Sequence, residues 1–92
     1  MAALLVEAGG QPYAIPLDRV ERTLRLADQT VRSVAGQRML VLRDGVLPVL
    51  DGADALGGMP GEDADHAVIV RGQDRRLALA VTRLVGQREL VT

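Results

Sequence analysis

The sequence predicts an all-β fold, a small barrel of short strands with one or two helical turns. Three observations carry this. Brief apolar runs alternate with Gly, Pro and Asp turn signals along the chain. The central run 38–50 places two apolar stretches around Asp44-Gly45, a pair suited to a type I′ hairpin turn, whose central residues both need positive φ. The 92 residues make one small domain, 1–92, and a chain of this size buries only roughly 60–65% of its unfolded surface.

The elements follow in order. Residues 3–8 read as a strand, Gly9-Gly10-Gln11-Pro12 as a loop of about four residues, and Tyr13-Ala14-Ile15 as the returning strand, ended by Pro16. Residues 17–26 fit two periods. Leu17, Val20 and Leu24 fall at helical spacing, whereas Val20, Arg22, Leu24 and Leu26 alternate as in a strand. One helical turn after Pro16 and then a strand from about Thr23 satisfies both, since proline is favourable where a helix opens. Residues 28–36 read as a polar connection.

The first strand of the central hairpin is apolar at consecutive positions, which predicts burial of both faces. Pro48 cannot donate to a ladder, so its strand lies at an edge or turns that position away from a neighbour. Residues 51–57 read as a short helix, with Asp51 as cap, Asp54 in the first turn and Gly57 as the left-handed stop. Residues 58–65 read as a flexible loop. Residues 66–71 and 75–82 are strands around a Gly72-Gln73-Asp74 turn. In the second, Leu77, Leu79 and Val81 point one way and the small Ala78 and Ala80 the other, which lets a further layer approach closely. Residues 84–91 form a last strand, with Gly86 permitting a bulge.

Composition narrows the function classes. With no Phe, no Trp and one Tyr, the core is aliphatic, and each buried aliphatic side chain contributes roughly 1.5–3 kcal/mol. The absence of Cys excludes disulfides and thiolate zinc sites and fits a reducing compartment. A net charge of −1 with interspersed signs argues against nucleic-acid binding, which needs a basic face. Apolar runs reach about five residues against the roughly 20 that span a membrane, and the first residues lack a basic n-region, so the chain reads as cytoplasmic and not membrane-inserted. All 11 basic residues are Arg, the side chain better suited to planar, bidentate contacts.

No catalytic or metal-binding set emerges, and no cofactor is expected. His66 is the single histidine, and beside Asp63 and Asp65 it reads as a strand-start residue next to a solvated acidic loop. Glu62, Asp63 and Asp65 lack the order of a calcium loop. The glycine pairs match no phosphate-binding pattern, and Ser33 has no neighbouring base. Arg75-Arg76 reads as a charged hairpin shoulder, and Tyr13 as core or rim. Arg43 is either a solvated residue beside a turn or an interface arginine, a type enriched at binding hot spots. A docking module is therefore expected rather than an enzyme.

The order of elements resembles the CheW-like domain family. Leu4-Leu5-Val6 through Gly10-Gln11-Pro12-Tyr13-Ala14-Ile15-Pro16-Leu17 carries the opening of the pattern. Val20-Glu21, Val34-Ala35-Gly36, Leu42-Arg43 and Val46-Leu47-Pro48-Val49-Leu50 continue it. Ala55-Leu56-Gly57, the run 77–81 and the run 84–91 complete it. In detail it is closer to the regulatory domain of the chemotaxis histidine kinase CheA than to the free adaptor. The resemblance implies two linked SH3-like barrels without catalysis, coupling chemoreceptors to a histidine kinase through exposed apolar and charged surfaces. It places Arg43 at a partner contact, flanked by Val20, Glu21, Leu42 and Val46.

Four departures stand out. Arg22 occupies a position where the family often has Glu, reversing the charge and marking Arg22 as part of the same surface. Asp44 separates Arg43 from its glycine, and Thr82 stands where Asp is common. The family pattern also continues for about 40 residues of strand and turn beyond Thr92. A barrel short of strands has open edges, so a homo-oligomer is expected, with strand exchange one route to it. Two functions follow: a scaffold that binds a histidine kinase, a chemoreceptor or another CheW-like domain, or a reduced, self-associating relative acting as an assembly or inhibitory subunit.

Overall fold

A computed structural model describes residues 1–55 and 64–91, and among these the turn chemistry sets nine strands. They are β1 (Ala2–Ala8), β2 (Gln11–Pro16), β3 (Val20–Arg25), β4 (Thr30–Val34), β5 (Gln37–Leu42), β6 (Gly45–Asp51), β7 (His66–Arg71), β8 (Arg76–Val81) and β9 (Arg83–Glu89), with one helical turn, α1 (Gly52–Ala55). Single 3₁₀ turns at Leu17–Arg19 and Leu26–Asp28 bracket β3. The expected helical turn after Pro16 is present. The predicted stop at Gly57, the carboxylates Glu62 and Asp63, and positions 58–63 of the expected flexible loop lie outside the described residues.

Alternation on β7 and β8 organises the two sheets. β2, β1 and β9 form an antiparallel sheet in the order β2-β1-β9, and the other six strands run β3-β7-β8-β6-β5-β4, with β6 and β8 parallel. Val68, Leu79 and Val81 face a first core with Leu4, Val6, Ala8 and Ile15. Ala67, Ile69, Ala78 and Ala80 face a second core with Leu40, Leu47 and Val49. The expected division of β8 into a large and a small face thus separates two cores. Leu24 of β3 and Val31 of β4 both pack on the second core, so the six-stranded sheet curls around that core from both ends. The all-β, barrel-like class holds, and Tyr13 packs against the first core.

Several expectations need correction. The span 28–36 is not a polar connection: Thr30–Val34 pair with Gln37–Val41, and Ala35-Gly36 make the turn. Both turn residues have positive φ, 51° and 81°, so a type I′ turn sits here with an alanine in a glycine-like conformation. The composition hid this strand because its burial is slight, with only Val31 half-buried and Thr30, Arg32, Ser33 and Val34 exposed. The Gly9-Gly10 loop is two residues long rather than four, since Gln11 and Pro12 already pair with Ala8 and Glu7. β3 begins at Val20, not at Thr23, directly after the helical turn.

The central turn is Arg43-Asp44, with Gly45 paired to Leu42 as the first residue of β6. Neither Arg43 nor Asp44 has positive φ, so the Asp44-Gly45 type I′ turn is not formed. On β5 only Leu40 is fully buried, because one face is left half-open. β9 starts and ends before the expected 84–91, at Arg83 and Glu89, but its bulge is where expected: Leu5 pairs with Gly86 and Val6 with Leu84, leaving Val85 as the extra residue. Pro48 lies on an inner strand, yet the β6–β8 ladder begins only at Val49, past the residue that has no N–H.

Two further contacts fix the frame. A Cβ built on Gly52 would lie 2.6 Å from the Ala80 carbonyl oxygen and 3.0 Å from Val81 Cγ1, so only glycine lets α1 sit this close to β8. Arg83 donates from Nε and Nη2 to the two Glu7 carboxylate oxygens at 2.9 and 3.1 Å, linking β9 to β1. Thr82 Oγ1 and the Thr82 amide both donate to the Glu7 carbonyl, at 2.7 and 2.9 Å, which gives the residue in the departing position a structural task.

Gly52→Ala is expected to destabilise the fold by about 1–3 kcal/mol, read as a lower urea midpoint at unchanged slope. An unchanged midpoint refutes the close approach. The hydrogen bonds and charge of Arg83 hold the Glu7 carboxyl below its ordinary 4.5. A depressed folded value stabilises at neutral pH, and the contribution disappears as pH falls below the ordinary value and through the folded one. The melting temperature of Arg83→Gln should therefore lie below that of the parent at pH 7 and meet it once the pH is low enough to protonate the Glu7 carboxyl in the folded parent.

Candidate functional site

The bulge in β3 places the first charged group of the site. Val20 pairs with Val70 and Arg22 with Ile69, so Glu21 is the extra residue that the ladder skips. A bulge re-aims the side chain it carries. Here Glu21 reaches Arg76 at the start of β8: Arg76 Nε donates to Oε1 at 3.1 Å, and Arg76 Nη2 donates to Oε2. The same Nη2 lies 3.4 Å from Asp44 Oδ2 in the β5–β6 turn.

One guanidinium thus ties β3 and the central turn to β8. Arg76 and Glu21 are only 25% and 28% exposed, against 65% for Asp44, so the Glu21 contact is the better sheltered of the two. The hydrogen bond to Glu21, followed by the nearby Asp44 charge, raises the Arg76 pKa above its usual value.

An open groove of about 550 Å³ lies above this contact, lined by Glu21, Arg22, Gln29, Val41, Leu42, Arg43 and Asp44. Four of the six residues expected at the partner surface, Glu21, Arg22, Leu42 and Arg43, therefore meet in one place. Val20 lies next door, in a groove of about 510 Å³ shared with Leu4, Leu17, Leu84 and the β3 residues Glu21 to Thr23. Val46 is separate. It is 55% exposed and lines a third groove, of about 550 Å³, between the half of β6 that pairs with β5 but not with β8 and the β7–β8 turn.

Sequence reasoning missed Arg76, which reads as one half of a charged Arg75-Arg76 shoulder. Strand alternation could have separated the two, because Arg75 precedes β8 while Arg76 is its first residue. Its partners lie 55 and 32 positions away in the chain, a pairing that no local pattern announces.

Among the described residues, no three of the His, Asp and Glu side chains come together as metal ligands do. His66 opens β7 half-buried, with Nδ1 enclosed and without a hydrogen-bond partner. No helix among the described residues is long and apolar enough to cross a membrane.

Fold and groove define a two-core, all-β domain with an arginine-bearing cleft beside its central turn. The chain belongs to the CheW-like domain family, whose pattern matches residues 2–92. It is 34% identical over 97% of its length to the sensor histidine kinase CheAY of Helicobacter pylori, of which it covers 12%. It is 32% identical to the chemotaxis protein CheA of Halobacterium salinarum over 96% of this chain and 13% of that one. Against the Listeria monocytogenes chemotaxis protein CheA the identity is 26%, over 97% of this chain and 15% of the relative. The chain thus spans about an eighth of the length of these relatives. In three dimensions it is similar to the scaffolding protein TtCheW of Thermoanaerobacter tengcongensis, with a TM-score of 0.77 at 16% identity, over 95% of this chain and 63% of that one.

Arg76→Gln is expected to shift the amide resonances of Glu21 and of Arg43-Asp44 together and to lower the melting temperature, with the loss shrinking in about 1 M NaCl. Shifts confined to β8 would show that the guanidinium does not couple the two elements.

Proposed function

We propose that this domain is a non-enzymatic docking module of a chemotaxis-type signalling complex, coupling a receptor to a histidine kinase from the cytoplasm. The observation that carries the reading is the groove of Glu21, Arg22, Leu42 and Arg43, on a chain that belongs to the CheW-like family. The groove joins half-buried apolar surface to exposed guanidinium groups, the combination found at protein–protein hot spots. The relatives that match nearly the whole chain include a sensor histidine kinase and a protein named for chemotaxis, which supports a kinase as one partner.

Self-association is the second reading. Among the described residues β9 and β3 each have one unpaired edge, and Leu4, Leu17, Val20 and Leu84 line the groove between them. An extended strand from a second copy would find donors, acceptors and an apolar floor there, as strand exchange requires. In this reading the domain is an assembly or inhibitory subunit.

Capture of a purified CheA-type kinase and receptor, with light scattering on the same samples, separates the two. Arg43→Ala should weaken kinase or receptor capture about tenfold while the melting curve is unchanged. Unchanged affinity removes Arg43 from the site. Self-association without capture favours the second reading, and a monomer at high micromolar concentration eliminates it.

A further inference from the structure

We infer that the groove between β3 and the central turn is a cationic seat for an acidic, partly apolar segment of a protein partner. The inference rests on the reading of this face as a partner surface and gives that partner its chemistry.

The argument begins with the carboxylates that line the groove. Both Glu21 oxygens accept from Arg76, and Asp44 lies against the same guanidinium. Arg76 offsets one of their two charges from beneath, although it does not itself line the groove, so that with Arg22 and Arg43 three guanidinium groups meet two carboxylates. Arg22 and Arg43 do line it, both are exposed, and neither guanidinium makes a hydrogen bond or an ion pair among the described residues. The local balance is therefore positive on a chain whose net charge is −1. Two guanidinium forks stand ready beside a floor of half-buried Val41 and Leu42.

A guanidinium fork matches a carboxylate in a planar, bidentate way, and such charge-assisted bonds are about twice as strong as neutral ones. Apolar surface next to the pair lowers the local dielectric and strengthens the contact further. The matching ligand carries carboxylates flanked by aliphatic groups. A nucleic acid fits poorly. It would call for a wider basic field and stacking rings, yet the sole aromatic side chain, Tyr13, packs on the first core.

Arg22 decides the sign. A carboxylate there would supply a partner for Arg43 and close the seat electrostatically. Arg76 has a distinct, positioning role: without it Glu21 and Asp44 become free to compete for Arg22 and Arg43.

The test uses a fluorescein-labelled peptide with Glu and Leu in alternation, its Gln counterpart and its Lys counterpart, titrated into the full chain by anisotropy and by amide chemical shifts. The Glu peptide should bind saturably, shift Arg22, Leu42 and Arg43, and weaken several-fold between about 0.05 and 0.3 M NaCl. The paired reversal Arg22→Glu with Arg43→Glu should weaken it at least about tenfold, and Arg76→Gln a few-fold without a direct contact. Arg22→Gln with Arg43→Gln serves as the milder variant, and melting curves confirm that each variant folds.

Equal binding of the Gln peptide overturns the inference, as do affinity within about twofold after the paired reversal, shifts centred elsewhere, or no saturable binding. Kinase capture separates this failure from that of the broader reading. A kinase still held by the doubly reversed chain refutes the acidic seat and leaves the docking role standing. A kinase not held by the parent refutes the docking role whatever the peptides do.

Discussion

The β7–β8 hairpin is the constraint on which the rest of the structure depends. Side chains alternate across a strand, so one pair of strands can wall two compartments. Val68, Leu79 and Val81 serve the first core, and Ala67, Ile69, Ala78 and Ala80 serve the second. The asymmetry of size matters as much as the alternation. The alanine side lets the curled sheet close tightly, and Gly52 removes the last Cβ that would hold α1 off β8. With no Phe or Trp to fill volume, this close approach is how an aliphatic chain reaches native packing density.

The same strand sets the electrostatics of the surface. β8 lies between β7 and β6, with β3 beyond β7, so its first residue reaches the β3 bulge on one side and the central turn on the other. Arg76 uses both directions. It offsets part of the Glu21 and Asp44 charge from below, and Arg22 and Arg43 remain exposed in the groove. Packing and surface charge thus share an element: the strand that separates the cores also orders the groove.

Legibility followed burial. β1, β5, β6, β7 and β8 were readable because each carries a run of aliphatics, at least one of them buried, bounded by turn residues. β4 was not, since its exposed Thr, Arg and Ser residues resemble a loop and only its pairing with β5 makes it a strand. The bulge at Gly86 was visible because glycine advertises it, whereas the bulge at Glu21 has no such marker and arises from the register with β7. The central turn slipped by one residue for a related reason: pairing of Leu42 with Gly45 fixed the loop, overriding the Asp-Gly preference.

The sequence by itself determined the all-β class, the aliphatic core, the two faces of β8 and the family, because periodicity, turn residues and element order are local or serial properties. It also marked Arg43 and its neighbours as a surface. Only the tertiary structure decided which of those neighbours share a groove, that Val46 stands apart, and that Arg76 governs the charge. The physical reason is distance along the chain. Coulomb contacts and ladder register join residues tens of positions apart, and their partners exist only once the sheet has curled.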